Sequence, residues 1–244
     1  MAAGSGAVSI VSAVIAAGSA VTTFVLTRRA AINDRQRSAD DVAVRYREPL
    51  LHAAFNLETR LYNIVRQHFL DVFLARGTPE EADYARVNTV YLIGQYLCWS
   101  EILRREAQLV DPVDRQRDRA VNQAMERVRS VMSTSIEHPD RTLRVFRGDQ
   151  RAIGEVLLTT VDAAPGRTAP RWDCRGYAAF TTAIDNVDGF GRWFQPLLAD
   201  VNRLAAEPGQ HTARLVDLQH ALVDLINLID PRGERVSAQL LTKL

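Results

Sequence analysis

The residues that could perform chemistry are few, and their spacing predicts no metal or catalytic site. No two of the five histidines stand four positions apart and no HExxH motif is present, so a helical zinc site is not expected. His68 lies within an apolar stripe, and we expect it to be a buried core histidine rather than a ligand. The histidines are His52, His68, His138, His211 and His220.

The cysteines and glycines give no stronger signal. Cys98 and Cys174 lack a metal-ligand spacing, and two cysteines are too few for a disulfide framework. We interpret them as buried thiols, since a bridge between them would require an oxidising compartment. Gly189 and Gly191 lack the third glycine and the preceding strand of a dinucleotide-binding loop, so they predict a turn before a helix. No GxSxG nucleophile motif is present, and no cofactor is expected.

The charge pattern argues against a nucleic-acid partner. The formal net charge is +1, and no basic stripe is interleaved with aromatic residues. Of the 30 basic residues, only Lys243 is a lysine. Arginine favours bidentate contacts with carboxylates or phosphates, although a GC-rich genome explains this bias more simply. Charge is also unevenly placed, because no charged side chain precedes Arg28.

The uncharged stretch from Ala7 to Thr27 predicts a transmembrane helix. As an α-helix its 21 residues extend about 31 Å, which matches the hydrocarbon thickness of a bilayer. The serine and threonine hydroxyls within it can bond to helix carbonyls, so they are tolerated in lipid. A cleavable signal peptide is the rival interpretation, but no basic residue precedes the apolar run. We therefore expect an anchor over residues 1–27.

The orientation of this anchor follows from the arginines that come directly after it. Four basic residues and one acidic residue, Asp34, lie within the ten residues that follow the span. The positive-inside rule then places the N-terminus outside and the C-terminal domain in the cytoplasm, as a single-pass protein of the cell membrane. These topology determinants are Arg28, Arg29, Arg35 and Arg37.

One face of the anchor carries small side chains at every fourth position. Small residues at this spacing allow a second transmembrane helix to approach closely. The sequence thus predicts a self-association face, although an Ala- and Ser-rich helix also gives this pattern by chance. Its members are Ser5, Ser9, Ala13 and Ala17.

Hydrophobic periodicity after the anchor predicts an all-α protein: a charged juxtamembrane stalk over 28–48, then an antiparallel bundle of about five to seven helices over 49–244. Pro49 should stop the stalk, and Gly77 should end the first helix of the bundle. Thr78 and Glu81 form a capping box for the next helix. We expect helices over 49–76, 79–108, from 111 onward, 150–160, 176–186, from 192 onward, and 211–229.

Two segments and one group of residues stay open to more than one interpretation. Residues 133–147 read as irregular, with a short strand over Thr142 to Phe146 as the alternative. Residues 162–175 read as a surface loop rather than an active-site lid. Core positions explain six aromatic residues better than a pocket lining does. These residues are Tyr91, Tyr96, Trp99, Trp172, Trp193 and Phe194.

These observations favour a membrane-anchored interaction or regulatory module at the inner membrane face. Its partners would be the membrane, which it spans once, and either an unknown protein or a second copy of itself. The alternative is a membrane-bound enzyme whose site is assembled from dispersed residues. An enzyme should show a deep cleft with titratable groups of shifted pKa, whereas a module should show an exposed apolar patch.

Overall fold

The structure is a computed structural model, and it describes residues 27–28, 45–107, 115–136, 140–161 and 171–244. The predicted transmembrane segment lies outside these residues except for Thr27, and most of the predicted stalk lies outside them too. Among the described residues, no helix combines the length and the apolar character needed to cross a bilayer.

The described part of the chain is mostly helical, as predicted, with one small sheet. Helix α1 covers residues 45–66, and a π-helix follows it at Asp71–Ala75. The other elements are α2 (Pro79–Ala107), α3 (Arg115–Ser133), α4 (Arg147–Leu157), β1 (Leu158–Val161), β2 (Arg171–Cys174), α5 (Tyr177–Ala183), a 3-10 turn (Gly191–Trp193), α6 (Gln195–Ala206), α7 (Ala213–Ile229) and a second 3-10 turn (Ala238–Leu240).

The strongest local signals in the sequence are confirmed. The Thr78 amide donates to the Glu81 carboxylate at 2.8 Å, and the Glu81 amide donates to the Thr78 hydroxyl at 3.3 Å, which is the predicted capping box of α2. Pro196 lies in the first turn of α6, where its missing N–H costs nothing. The prediction that Pro49 stops the stalk is wrong, because residues 45–48 already belong to the same helix. Pro49 therefore does not separate a stalk from the bundle.

A β-hairpin replaces part of the predicted helix and loop after residue 157. Strands β1 and β2 pair antiparallel, with Leu158 opposite Cys174 and Val161 opposite Arg171. The expected helix over 150–160 instead begins at Arg147 and ends at Leu157. The β-branched run that follows Leu158 favours an extended backbone, which explains the early end. Residues 140–146 contain no strand, so the irregular interpretation is confirmed there.

Helix α2 is the central element of the core, and it packs closely against α4. At Gly154, an added Cβ would lie 2.9 Å from the Leu97 carbonyl oxygen of α2. At Gly94, it would lie 2.7 Å from a methyl group of Leu157. These two glycines allow the helix backbones to approach where larger side chains would clash. The contact fixes the C-terminal half of α4 against the second half of α2.

Aromatic side chains fill the space between α2, α5 and α6. The Phe180 ring lies edge-on to Phe194 with centroids 5.0 Å apart, and Tyr91 lies 5.2 Å from Phe180. Tyr91, Tyr96 and Phe194 are all buried, so the core interpretation holds for these members of the aromatic group. The glycines at 189 and 191 form the predicted turn, since a Cβ on Gly191 would lie 2.1 Å from the Ile184 carbonyl.

Candidate functional site

The candidate site begins where α1 ends. The predicted helix over 49–76 is interrupted, because α1 stops at residue 66 and His68 has a φ of 54°, in the left-handed region. The chain then resumes as a π-helix at Asp71–Ala75. π-Helical turns are rare and occur frequently at functional sites. His68 itself is exposed, so the prediction of a buried core histidine is wrong.

This interruption changes which side chains face solvent. Val72 and Phe73 continue the apolar stripe of α1 in the sequence, yet they are 40% and 38% exposed. The left-handed residue and the wider π-helical turn shift the phase of the stripe, and side chains expected in the core point outward. Tyr84, expected in the core face of α2, is 49% exposed. Three large apolar side chains thus lie at the surface, and two of them, Phe73 and Tyr84, line the same pocket.

A shallow pocket of about 320 Å³ lies between the π-helix and the start of α2. We call it the aromatic groove and define it by its lining residues, which are Phe69, Phe73, Glu80, Glu81 and Tyr84. The Phe69 and Phe73 rings are tilted against each other with centroids 5.0 Å apart. The two glutamates lie in the first turn of α2 and give the rim a negative charge.

A buried arginine supports the groove from the inside. The Arg60 guanidinium lies 3.9 Å from the centre of the Phe69 ring and 5.7 Å from that of Tyr84. It donates to the Thr89 hydroxyl at 3.0 Å and to the Asn88 side-chain oxygen at 2.9 Å. Arg60 therefore ties α1 to α2 and fixes two rings of the groove.

The charge of Arg60 is not neutralised by a carboxylate. Among the described residues, no aspartate or glutamate forms an ion pair with it. Burial lowers the pKa of Arg60, and the Tyr84 hydroxyl partly offsets this effect. An arginine keeps its proton even so, because its pKa starts far above neutrality. The groove thus has a fixed positive charge behind its rings and carboxylates at its rim.

A second polar cluster, which we call the polar clasp, joins the loop at residues 140–142 to the start of α7. The two ring nitrogens of His211 lie 2.9 Å from Asp140 Oδ2 and 2.7 Å from Glu207 Oε2. Glu207, and then Asp140, raise the pKa of His211. Since both nitrogens contact carboxylates, the charged form of the ring is favoured and both nitrogens are already engaged.

Arg214 completes the polar clasp. It is buried and donates to the carbonyls of Val131, Asp140 and Thr142, the last two at 3.0 and 3.1 Å. Asp140 also accepts from the amide and hydroxyl of Thr142, both at 3.0 Å. All these groups bind one another or the backbone, which is what a structural junction requires.

The two cysteines are the next residues that could perform chemistry, and the structure brings their thiols close together. Cys98 is buried and Cys174 half-buried, and both are free thiols. The Cys174 thiol and burial raise the pKa of Cys98, which disfavours the reactive thiolate. No group of three or more histidine, cysteine, aspartate or glutamate side chains in the described ranges could hold a metal ion.

The candidate residues predicted from the sequence do not line the aromatic groove. The self-association face at Ser5, Ser9, Ala13 and Ala17 lies outside the described residues, as do Arg29, Arg35 and Arg37. Arg28 is helical and exposed. The groove residues were missed because periodicity assigned Phe73 and Tyr84 to the core. No residue type between Arg66 and Ala75 marks the break in the sequence.

The comparisons with known proteins add no relative. The chain matches no protein-family model, no curated protein and no solved structure at a significant level of similarity.

Proposed function

We propose that this chain is a membrane-anchored interaction module that binds a partner protein through the aromatic groove. The segment from Ala7 to Thr27 spans the membrane once, and the arginines after it keep the helical domain on the cytoplasmic side. The observation that carries the proposal is the exposure of Phe73 and Tyr84, two large side chains that line one groove. Clustered apolar exposure of this kind is typical of protein interaction sites.

The chemistry of the groove favours a particular kind of partner segment. Its rings offer an apolar floor, and Glu80 and Glu81 offer negative charge at the edge. Glu81 is already bound to the Thr78 amide, whereas Glu80 is exposed and pairs with no cation of the described residues. We infer a partner segment that places an apolar side chain in the groove and a lysine or arginine next to it.

Crosslinking in cells tests the groove. A photoreactive phenylalanine analogue would replace Phe73 in the full-length protein, and the same analogue at Phe146 would be the control. Phe146 is 55% exposed and lies beside Arg144, away from the groove residues. We expect one defined adduct from position 73 and none from position 146. Equal adducts from both positions, or none from either, would contradict the proposal.

A charge variant tests the inferred partner chemistry. Glu80→Gln should weaken the crosslinked complex by about tenfold at low salt, because it removes the unpaired carboxylate at the rim. Glu234→Gln, which removes a carboxylate paired with the exposed Arg232, should leave the complex unchanged. A partner that binds both variants equally does not use charge at this rim.

The membrane part of the proposal has its own test. Full-length protein should stay with membranes after alkaline carbonate extraction, and a variant without residues 1–27 should be released. In intact cells, a membrane-impermeant thiol reagent should label Ala2→Cys and leave Arg232→Cys unlabelled until lysis. Arg232 suits this role because its side chain is 84% exposed. Extraction of the full-length protein would refute the anchor, and the reverse labelling would refute the orientation.

A further inference from the structure

The two cysteines form a pair that the proposed function does not use. Cys98 lies on α2 and is 0% exposed, whereas Cys174 is the last residue of β2 and is half-buried. The Cys174 thiol lies close enough to that of Cys98 for a side-chain hydrogen bond between them. Both cysteines are free thiols, so the structure shows the reduced form of the pair.

The backbone next to each cysteine holds the pair together. Tyr91 lies about two helical turns before Cys98, on the same face of α2. Its hydroxyl donates at 3.1 Å to the carbonyl of Arg175, which directly follows Cys174. The Arg175 amide donates at 2.8 Å to the carbonyl of Leu157, which packs against α2. The end of β2 therefore lies against the face of α2 that carries Cys98.

The rest of the hairpin is held less firmly. Three of the four residues of β1 are exposed, and they offer little apolar surface to the core. On β2, the Arg105 guanidinium of α2 lies 5.6 Å from the centre of the Trp172 ring. A two-stranded hairpin is only marginally stable by itself. We therefore expect the hairpin to open locally more easily than the helices around it.

The two thiols differ in their access to reagents. The hydrogen bond with Cys174 and burial raise the pKa of Cys98, and the charges of Asp173 and Glu101 raise it further. A buried thiol of this kind stays protonated and reacts slowly with reagents from solution. Cys174 is the more accessible of the two, so a dissolved oxidant meets it first.

A reaction at Cys174 makes Cys98 more reactive. The largest cause of the raised pKa of Cys98 is its hydrogen bond with the Cys174 side chain. A Cys174 sulfur that is bound in a mixed disulfide carries no charge and accepts hydrogen bonds poorly, so Cys98 then ionises more readily. The Cys98 sulfur already lies next to the sulfur that it must attack. An accessible thiol beside a resolving thiol is typical of redox-sensing cysteines.

We propose that Cys98 and Cys174 are a redox-sensitive pair, which a low-molecular-weight disulfide oxidises to an intramolecular disulfide that ties the hairpin to α2. The proposal does not depend on the aromatic groove. On the cytoplasmic side the pair is reduced at rest and oxidised transiently, as is usual for disulfides in that compartment. This resting state rests on the orientation proposed above, whereas the exchange reaction does not.

The oxidation takes place in two exchange steps. The Cys174 thiolate attacks one sulfur of the small disulfide, forms a mixed disulfide with it and releases one small thiol. The Cys98 thiolate then attacks the Cys174 sulfur and releases the second small thiol, which takes up a proton. The two protein thiols lose two electrons and two protons, and the small disulfide gains them as two thiols.

Mass spectrometry of the full-length protein in detergent micelles tests the reaction, with glutathione disulfide as the probe at near-neutral pH. We expect the chain to lose two hydrogen atoms and to retain no glutathione. Proteolytic digestion without a reductant should then yield the peptides of Cys98 and Cys174 linked to each other. This measurement needs no variant, so it decides the question even if a substitution at the buried Cys98 impairs folding.

Two variants separate the two steps. Cys98→Ala should retain one glutathionyl group on Cys174, because the thiol that would displace it is gone. Cys174→Ser should react with glutathione disulfide at least about tenfold more slowly than the wild-type protein, because only the buried thiol remains.

Hydrogen exchange tests whether the disulfide ties the hairpin to α2. The amide of Arg175 and those of β2 should exchange at least about tenfold more slowly in the oxidised protein than in the reduced protein. Dithiothreitol should restore the faster exchange. Cys98→Ala, treated with the same oxidant, is the matched control and should show no slowing.

Four results would overturn the proposal. A wild-type chain that does not react, or that keeps a glutathionyl group on Cys174, would show that Cys98 does not resolve the mixed disulfide. Disulfide-linked dimers would show that the thiols react between chains. An intramolecular disulfide that leaves the exchange of the hairpin unchanged would show that oxidation has no effect on the fold.

Discussion

Two buried arginines, Arg214 in the polar clasp and Arg60 behind the aromatic groove, meet different surroundings. Arg214 donates to backbone carbonyls from the end of α3 and from the loop at residues 140–142. Arg60 donates to two side chains of α2 and stacks on the Phe69 ring.

The difference separates a structural site from the proposed binding site. Backbone carbonyls cannot turn towards water without moving the chain, so Arg214 is required wherever those segments meet. The partners of Arg60 are side chains that have other options, since the Thr89 hydroxyl also donates to the Ala85 carbonyl at 2.6 Å and Asn88 is partly exposed. The main effect of Arg60 is therefore to position the Phe69 and Tyr84 rings of the groove and to place a positive charge behind them.

The largest expected effect is the loss of Arg214. Arg214→Met leaves the carbonyls of Val131, Asp140 and Thr142 without their donor, and we expect a loss of about 3 to 5 kcal/mol in the free energy of unfolding. Urea unfolding of the full-length protein in micelles, followed by circular dichroism, measures it. A loss below about 1 kcal/mol would mean that the clasp does not hold these segments together.

The matched substitution at Arg60 should cost less. Arg60→Met removes two hydrogen bonds to side chains and the two cation–π contacts with Phe69 and Tyr84, for a loss of about 1 to 2 kcal/mol. The same urea experiment should therefore separate the two variants clearly. In the crosslinking experiment, however, Arg60→Met should reduce the adduct from position 73, whereas Arg214→Met should not in molecules that remain folded. Equal losses of stability in both variants would remove the distinction between the two arginines.

The sequence predicted the helices better than it predicted the aromatic groove. Apolar periodicity and helix caps gave α2 to within one residue of its described end and placed Pro196 in the first turn of α6. Those signals are local, since each depends on residues within one or two turns. The hairpin was missed because two four-residue strands, separated by residues 162–170, leave little periodicity to read.

The groove was missed for a different reason. It exists because a left-handed residue at His68 and a π-helical turn shift the phase of an apolar stripe, and no residue type requires either feature there. Its lining also depends on how the π-helix and α2 are placed in space, which a single sequence does not specify.

The polar clasp should also respond to pH. Carboxylates at Glu207 and Asp140 raise the pKa of His211 above its usual value of 6.5. A raised folded pKa stabilises the fold fully below the unfolded pKa, and the contribution is lost as the pH rises through the folded value. His211→Gln should thus lower the melting temperature most at about pH 6 and much less at about pH 9.

The control for this pH dependence is His52, which is exposed and forms no ion pair in the described part of the chain. His52→Gln should change the melting temperature by a similar small amount at both pH values. Asp140 does not titrate between about pH 6 and about pH 9. Hydrogen bonds from Thr142 and the charge of His211 lower its pKa although burial raises it, so it stays ionised over this range. If the loss of melting temperature in His211→Gln were the same at both pH values, the charge of His211 would not stabilise the clasp.

The smallest expected effect concerns Glu58, a buried carboxyl two residues before Arg60 that lies against α7. It accepts from Gln219 at 2.6 Å, and no basic side chain of the described residues forms an ion pair with it. Burial raises its pKa although Gln219 and Thr59 donate to it, so ionisation above the folded pKa weakens the fold. Glu58→Gln keeps the shape without the charge, and it should raise stability by at most about 1 kcal/mol at about pH 8 and leave it unchanged at about pH 4. A variant that is less stable at about pH 8 would show that the fold needs this charge, and Glu58 would then belong with the structural groups of the clasp.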